Sequence, residues 1–382
     1  MMRAGIYAAV TPDFTSGVGR YLKGLLIGLS RVDRENEYLL YHAAEQTLPA
    51  LPPNFRLRPI PVNVRARVRN HLFQALWLPW LAARQGATLV HVPNSMPILY
   101  RRRPVVVTIF DLAEYALPQR VYAAGRHAYR RLAHRLAARA ADLIITPSEN
   151  TRRDVVRYLG GDPARVQVIY PGIDHGAFRP LPRDPQQQAE VARRLGLPAR
   201  YLLYTGKLQP RKNLVRLLRA FHQLVPAHPD LRLVVTGGRG WMNADISATI
   251  SVLGLAPALH FTGWVADDML PALYGLAALF VFPSLYEGFG FPVLEAMACG
   301  TPVVTSATSS LAEIAGDAAV CVDPSSVEQI AAAIGRLLND NVLRDDLRAR
   351  GLAHARRFTW ERCAAETKAC YQRLSRGVVR PA

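Results

Sequence analysis

Short apolar runs alternate along this chain with longer segments in which apolar residues recur at helical spacing. In the first half, the apolar runs predict strands at Met2–Ala8, Tyr38–Tyr41, Leu89–Val92, Val105–Ile109, Leu143–Thr146 and Val166–Tyr170. The alternation resumes later, with predicted strands at Leu202–Thr205, Leu231–Thr236 and Leu279–Phe282, and a strand with its loop at Leu259–Val265. Strands that alternate with helices predict an α/β fold with parallel sheets covered by helices on both faces.

A proline-rich stretch from Phe178 to Pro185 separates the two series of strands and is typical of a linker. At 382 residues the chain is too long for one ordinary α/β domain and suits two, each with its own core. We therefore predict an amino-terminal domain over residues 1–177 and a carboxyl-terminal domain over residues 178–357. A final helix is expected to begin near Phe358 and to end near Leu374.

The net charge of +18 favours a negatively charged partner. Residues 1–180 hold 25 Lys and Arg against 12 Asp and Glu, so most of the excess lies in the first half. Such a field suits nucleic acid, an anionic membrane surface or an anionic substrate. No apolar stretch of about 18 residues occurs, and the start MMRAGIYAAV predicts a strand rather than a signal peptide, so we expect a cytoplasmic protein.

The segment Val62 to Arg84 offers one possible membrane contact. Its arginines Arg65, Arg67 and Arg69 lead into an apolar helix that contains two tryptophans. This order is typical of a segment that docks at a membrane interface. The alternative is a helix that packs against the core of its own domain.

The stretch FPSLYEGFGFPVLE, from Phe282 to Glu295, carries the clearest chemistry. It joins a buried strand to a helix with proline in its first turn, so its glycine turn lies where open α/β sheets bind ligands. The helix amino end favours a phosphate, and Glu287 and Glu295 can each accept hydrogen bonds from two hydroxyls. The alternative is a capped helix with two solvated glutamates.

Glu287 and Glu295 enclose seven residues, within the longer run PSLYEGFGFPVLEAMACGTPVV. This run resembles the signature of the retaining glycosyltransferases of family 4, also called group 1, which have the GT-B architecture. The resemblance implies two Rossmann-like domains that face a deep interdomain cleft, with the final helix, residues 358–382, packed back on the first domain. It also implies that Glu287 holds the hydroxyls of the donor sugar and Glu295 the donor ribose.

The resemblance implies further site residues. The donor-binding residues would be Gly17, Gly19, Gly263, Gly288, Phe289, Gly290, Leu294 and Glu295. Lys207 and Lys212 would stabilise the departing diphosphate in place of a metal ion, since the chain contains no D-x-D triplet. Asp111 would lie on the acceptor side, although a strand-end cap explains it equally well. Phe110 stands where the family has a histidine, and phenylalanine can neither donate to a hydroxyl nor exchange a proton.

We therefore expect a retaining, metal-independent enzyme that moves a mannose- or glucose-type hexose from a GDP- or UDP-linked donor to an acceptor hydroxyl, without a cofactor. The acceptor would be a sugar or a lipid-linked sugar in cell-surface polysaccharide or glycolipid assembly, and the expected peripheral location is the inner face of the membrane. The alternatives are a sugar-nucleotide epimerase or another GT-B enzyme, and a basic nucleic-acid binder without enzymatic activity. The last lacks a recognised binding motif, so we expect no nucleic-acid partner.

Overall fold

The computed structural model describes residues 1–11, 14–64, 67–96, 98–99, 102–117, 124–182, 184–238 and 244–377. The chain divides into two compact units. The first comprises Met1–Tyr115, Tyr122–Gly172 and Phe358–Ala382, and the second comprises Ala116–Val121 and Ile173–Arg357. The second unit thus takes over at Ile173, whereas the sequence placed the start of the second domain at residue 178.

The first unit contains a seven-stranded sheet, and all of its described pairings are parallel. Its strands are β1 (Arg3–Tyr7), β2 (Glu37–Ala43), β3 (Phe55–Ile60), β4 (Leu89–Val92), β5 (Val105–Thr108), β6 (Leu143–Thr146) and β7 (Val166–Val168). They lie in the order β3-β2-β1-β4-β5-β6-β7. The central strands β4, β5 and β6 are buried along their whole length because helices cover both faces of the sheet.

The second unit contains a six-stranded parallel sheet. Its strands are β8 (Tyr201–Thr205), β9 (Arg232–Thr236), β10 (Leu259–Gly263), β11 (Leu279–Phe282), β12 (Val303–Ser306) and β13 (Val320–Val322). They lie in the order β10-β9-β8-β11-β12-β13. The order reverses at the pair β8 and β11, and such a reversal is where doubly wound sheets bind ligands.

The helices connect these strands. In the first unit they are α1 (Gly17–Val32), α2 (Arg67–Leu72), α3 (Leu78–Arg84), α4 (Ala113–Ala116), α5 (Ala124–Ala140), α6 (Glu149–Leu159) and, after the second unit, α15 (Trp360–Gly377). In the second unit they are α7 (Pro185–Arg194), α8 (Leu214–Leu224), α9 (Ala244–Val252), α10 (Leu270–Leu276), α11 (Phe291–Ala298), α12 (Ser309–Ala315), α13 (Val327–Asn339) and α14 (Asn341–Ala355). A π-helical segment, Phe73–Trp77, joins α2 to α3.

The edge strand β3 is absent from the sequence prediction. Its four inner positions are exposed and only its two end residues are buried. Arg56, Arg58 and Pro59 occupy three of these exposed positions, so the apolar alternation that indicates a strand is missing. Charged residues and proline are common on edge strands because they discourage pairing with another chain.

Helix α15 packs against α1. Glycines in α1 permit the close approach. A Cβ on Gly24 would lie 2.0 Å from the Trp360 ring, and one on Gly28 would lie 2.3 Å from the Trp360 carbonyl oxygen. The indole therefore fills a space that only glycine leaves open.

A buried hydrogen-bond chain also ties α15 to the sheet. The His91 imidazole on β4 lies 2.5 Å from the Tyr371 hydroxyl of α15 and 2.8 Å from the Thr108 hydroxyl of β5. Burial lowers the pKa of His91 to about 3, so its ring is neutral. This chain satisfies three polar side chains that would be costly to bury unpaired.

Within the described part of the chain, no helix is both long enough and apolar enough to cross a bilayer. The segment that the sequence marked for membrane contact forms α2, the π-helical segment and α3. Of its three arginines, Arg69 is exposed. Arg65 lies outside the described residues, and so does the side chain of Arg67.

Candidate active site

The glycine turn follows β11 and leads into α11, as the sequence predicts. Gly290 forms the cap of α11 with a φ of 140°, a conformation that other residues rarely adopt. The start of α12 braces the turn, since the buried Ser310 hydroxyl donates to the carbonyl oxygens of Glu287 at 2.8 Å and of Phe289 at 2.5 Å. The loop that carries Glu287 is therefore held from the neighbouring βα connection.

The loop after β8 brings two cations to this turn. Residues Pro210–Lys212 form a 3₁₀ turn, which ends at Asn213 in the left-handed region with a φ of 63°. The Asn213 amide donates to the carbonyl oxygens of Pro283 at 2.8 Å and Pro324 at 2.6 Å. Asparagine suits this position because it tolerates the left-handed region and its amide also makes these bonds.

Glu287 stands between these two cations. Its carboxylate lies 2.8 Å from Arg211 Nη1 and 2.6 Å from Lys212 Nζ, and it accepts a hydrogen bond from the Ser284 hydroxyl at 2.7 Å. Burial works against ionisation, but the charges of Arg211 and Lys212, with hydrogen bonds from Lys212 and Ser284, lower the pKa of Glu287 to about 2. We call Arg211, Lys212 and Glu287 the charged triad.

The charged triad is suited to binding an anionic ligand with hydroxyl groups. The three side chains are only 11–15% exposed, so their charges act in a partly desolvated site. Two cations and one carboxylate leave one net positive charge for a phosphate group. The carboxylate, fixed by its partners, retains lone pairs that can accept from a hydroxyl.

Arg211 is the member of the triad that sequence reasoning missed. The segment PRKN contains both cations, and the resemblance drew attention to Lys212 alone. The structure turns both side chains toward Glu287, and the Arg211 guanidinium also donates to the Tyr286 carbonyl oxygen at 2.8 Å. Lys207, which the sequence also assigned to the departing diphosphate, is exposed.

Glu295 lies on α11 and is 2% exposed. Its carboxylate accepts a hydrogen bond from the Tyr274 hydroxyl at 3.1 Å, and that hydroxyl lies 3.1 Å from the Thr205 hydroxyl at the end of β8. Through Tyr274, these contacts connect Glu295 to the carboxyl end of β8, the strand that precedes the loop with Arg211 and Lys212.

The other predicted residues of the second unit have mainly backbone roles. Gly263 has a φ of 71°, and its carbonyl oxygen accepts from the Gly237 N–H at 2.8 Å. Leu294 is completely buried and its N–H donates to the Gly290 carbonyl oxygen. Gly288 is buried, and Phe289 packs edge-on against Phe291 with ring centroids 5.0 Å apart.

The first unit holds the remaining predicted residues. Gly17 begins α1, and the Gly19 N–H donates to the side chain of the capping residue Ser16 at 3.1 Å. A Cβ on Gly17 would meet nothing within 4 Å, so packing does not require glycine there. This turn is the helix amino end after β1 that the sequence predicts.

Asp111 follows β5 and accepts from the Ala113 N–H at 3.2 Å, as a strand-end cap would. It also lies 3.9 Å from the Arg130 guanidinium of α5. Phe110 packs edge-on against Tyr21, with ring centroids 4.9 Å apart. The residue that replaces the family histidine is thus part of an aromatic contact with α1.

Two further ionisable residues near Asp111 have no counterpart in the sequence prediction. Buried Glu114 forms an ion pair with buried His134 of α5 and contacts Arg130 at 3.4 Å. Burial opposes ionisation, but the hydrogen bond and charge of His134 and the charge of Arg130 lower the pKa of Glu114. Glu114 and His134 are 20 residues apart along the chain, so no local sequence pattern indicates that they pair.

Metal ligands need a convergence of suitable side chains. Among the residues that the structure describes, no group of three or more His, Cys, Asp or Glu side chains is placed to hold a metal ion.

Comparisons with known proteins identify the family of the chain. The model of the Glycosyltransferase Family 4 domain matches residues 15–176, and that of Glycosyl transferases group 1 matches residues 187–354. The O-antigen chain mannosyltransferase B of Escherichia coli is 31% identical over 377 residues, which cover 94% of this chain and 96% of that protein. This chain belongs to the family 4 glycosyltransferases. It is accordingly a glycosyltransferase with the GT-B architecture, and the predicted family and fold class are confirmed.

Solved structures with a similar fold superpose on nearly the whole length of this glycosyltransferase. Sucrose-phosphate synthase from Thermosynechococcus elongatus superposes with a TM-score of 0.77 at 21% identity, covering 99% of this chain and 100% of that one. HepE from Anabaena, solved with UDP-glucose, gives a TM-score of 0.72 at 19% identity, covering 98% of this chain and 100% of that one. At these identities the agreement concerns the fold.

Proposed function

We propose that this glycosyltransferase moves a mannose- or glucose-type hexose from a GDP- or UDP-linked donor to an acceptor hydroxyl. The observation that carries the proposal is the charged triad at the carboxyl ends of β8 and β11, where two cations share one ionised carboxylate. The E. coli relative is named a mannosyltransferase, and the Anabaena structure holds UDP-glucose, which supports a nucleotide-sugar donor.

Each member of the triad has a distinct proposed task. Arg211 and Lys212 bind the diphosphate and stabilise the negative charge that grows on it as the glycosidic bond breaks. Glu287 accepts hydrogen bonds from the sugar hydroxyls and orients the ring. Glu295 accepts from the donor ribose, and the Gly290 end of α11 directs backbone N–H groups at phosphate.

The low pKa of Glu287 constrains the stereochemical route. A carboxyl group whose pKa is about 2 is a weak base at neutral pH, so Glu287 is poorly suited to take the acceptor proton. We propose attack on the same face from which the diphosphate departs, with a donor phosphate oxygen receiving the acceptor proton. The product then retains the configuration of the donor.

A donor panel tests the proposal. Purified protein is incubated with UDP-glucose, GDP-mannose and the ADP- and dTDP-linked sugars, with candidate acceptors, and release of nucleoside diphosphate is followed. We expect turnover with one donor class and loss of most of it in Glu287→Gln. The anomeric coupling in the product NMR spectrum reports retention. Interconversion of the sugar nucleotide without release of diphosphate would instead support an epimerase.

We also propose that Arg211 and Lys212 supply the positive charge that a divalent metal supplies in other transferases. Activity should therefore persist in excess EDTA. A strict requirement for Mg²⁺ or Mn²⁺ would contradict this assignment.

A further inference from the structure

The first unit exposes an apolar ridge on α2, the π-helical segment and α3. Its members Leu72, Leu76, Trp77 and Trp80 are 53%, 46%, 59% and 38% exposed. Their spacing places them along one side of the helical run, and the Trp77 and Trp80 rings meet edge-on at a centroid distance of 6.4 Å. Leu99, 58% exposed, lies next to this helical run, since its N–H donates to the Ala75 carbonyl oxygen at 3.0 Å.

The same helical run already supplies its own unit with a core-facing side. Ala75, Leu78 and Ala82 are buried, and buried Gln74 donates to the Asn94 side chain at 3.2 Å. The run therefore needs no additional apolar contact to pack against its unit. A contiguous exposed patch of this composition is typical of an interaction surface.

A basic groove borders the ridge. It has a volume of about 580 Å³ and is lined by Trp80, Ala83, Arg84, Arg102 and Arg103. The Arg84 guanidinium lies over the Trp80 ring, 5.2 Å from its centroid. Trp80 thus belongs to both the ridge and the groove, so the apolar and basic surfaces are continuous.

The sequence around this surface contains only one sign of charge. Between Glu45 and Asp111 it has nine arginines and neither aspartate nor glutamate. Two copies of the chain that met through this surface would place arginine against arginine. An anionic occupant is therefore favoured over a second copy.

We propose that the ridge and the basic groove together dock the protein onto a bilayer that contains anionic phospholipid. The leucine and tryptophan side chains enter the boundary between headgroups and acyl chains, and Arg84, Arg102 and Arg103 bind the headgroup phosphates. Arginine suits this role because its planar guanidinium binds phosphate through two hydrogen bonds. The proposal does not depend on the reaction proposed above.

Co-sedimentation with vesicles, without donor or acceptor, tests the docking. Vesicles of phosphatidylglycerol with phosphatidylcholine are compared with pure phosphatidylcholine. We expect binding to the anionic vesicles. Arg84/Arg102/Arg103→Gln should weaken it on the order of a hundredfold, and Leu76/Trp77→Ser should weaken it by about tenfold or more.

Two control variants make equivalent substitutions on the surface of the second unit. Arg219/Arg336/Arg356→Gln removes the same charge from exposed positions, and Val252/Val342→Ser removes apolar side chains that are 83% and 81% exposed. Both controls should bind like the wild type. Circular dichroism and thermal melting establish that every variant is folded.

Three results would overturn the proposal. One is equal binding to both vesicle types, and another is an equal loss in the control and the test variants. The third is a wild-type protein that binds neither vesicle type and is dimeric by light scattering, while Leu76/Trp77→Ser is monomeric. The ridge would then belong to a protein–protein interface.

Discussion

A carboxylate held between two cations stays ionised far below neutral pH, and this limits what Glu287 can do in catalysis. With its pKa at about 2, Glu287 stays ionised between pH 5 and 9. Its role is therefore to position groups rather than to transfer protons. Any titration seen in the rate within this range must belong to another group.

The variant Glu287→Gln tests this at single-residue scale. We expect the rate to fall on the order of a hundredfold, because the charge that orients Arg211 and Lys212 is lost. The fall should be the same at every pH from 5 to 9, as measured by kcat/KM profiles of variant and wild type. If the variant instead abolishes a limb of the profile with a midpoint near neutral pH, Glu287 exchanges a proton during turnover.

Glu287 should also contribute to acid stability. Its folded-state pKa of about 2 lies below the ordinary value of 4.5, so the stabilisation is present above pH 4.5 and is lost as pH falls from 4.5 toward 2. Denaturant unfolding at pH 7 and pH 3 measures this loss. Ser284→Ala removes one hydrogen bond to Glu287 but leaves both cations, so it should keep most of the decrease in unfolding free energy between pH 7 and pH 3. Glu287→Gln should lose most of that decrease. If the two variants reduce it equally, the charge assignment is contradicted.

The sequence identified two members of the charged triad because Glu287 and Lys212 belong to continuous motifs. Arg211 escaped notice since its role depends on the 3₁₀ turn, which a left-handed Asn213 terminates. The Glu114–His134 ion pair joins two helices and follows no periodicity. Pairings of this kind can be identified only from the tertiary structure, whereas motif residues that follow a strand can be identified from the sequence.

At the scale of elements, the alternation of apolar runs with helical segments predicted most of the buried strands, although it missed buried β12. Leu89–Val92 and Leu143–Thr146 have the predicted bounds, and β1, β2 and β5 differ from prediction by one or two residues at an end. Strand β3 was missed since its exposed face is charged. The π-helical segment was also missed, because an i to i−5 hydrogen bond leaves no signature in composition.

The contact of α1 with α15 gives an element-scale prediction. Gly24→Ala would place a methyl group against the buried Trp360 ring, and we expect a destabilisation of about 1–3 kcal/mol. Chemical denaturation measures it. Gly125→Ala in α5, where a Cβ would meet nothing within 4 Å, is the matched control and should leave stability unchanged or raise it. A Gly24→Ala variant as stable as the wild type would show that this packing is not tight.

The buried His91 chain predicts acid sensitivity of the first unit. The folded state holds His91 neutral with a pKa of about 3, while the unfolded chain takes up a proton below about 6.5. Stability is therefore complete above pH 6.5 and falls as pH decreases toward 3. Between pH 7 and pH 5 the loss should be about 2 kcal/mol. His91→Gln should show a smaller dependence on pH in the same titration of unfolding free energy, and an unchanged slope would assign the acid sensitivity to other groups.

At the scale of the whole molecule, nonspecific attraction caused by the net charge of +18 must be distinguished from specific recognition of nucleic acid. We expect weak binding to duplex DNA of any sequence that disappears by about 200 mM salt, because it arises from release of counterions. Fluorescence polarisation with two unrelated duplexes measures it. Binding that persists in higher salt and distinguishes the duplexes would restore nucleic acid as a partner.

The central claim is that the charged triad binds the diphosphate of a nucleotide-sugar donor. Isothermal titration calorimetry compares UDP and GDP with their monophosphates, in the wild type, in Arg211/Lys212→Met and in the control Arg219→Met. We predict that the wild type binds one diphosphate at least about tenfold more tightly than the matching monophosphate, and that only Arg211/Lys212→Met loses this preference. A wild type that binds neither diphosphate, or a double variant that keeps the preference while folded, would contradict the account.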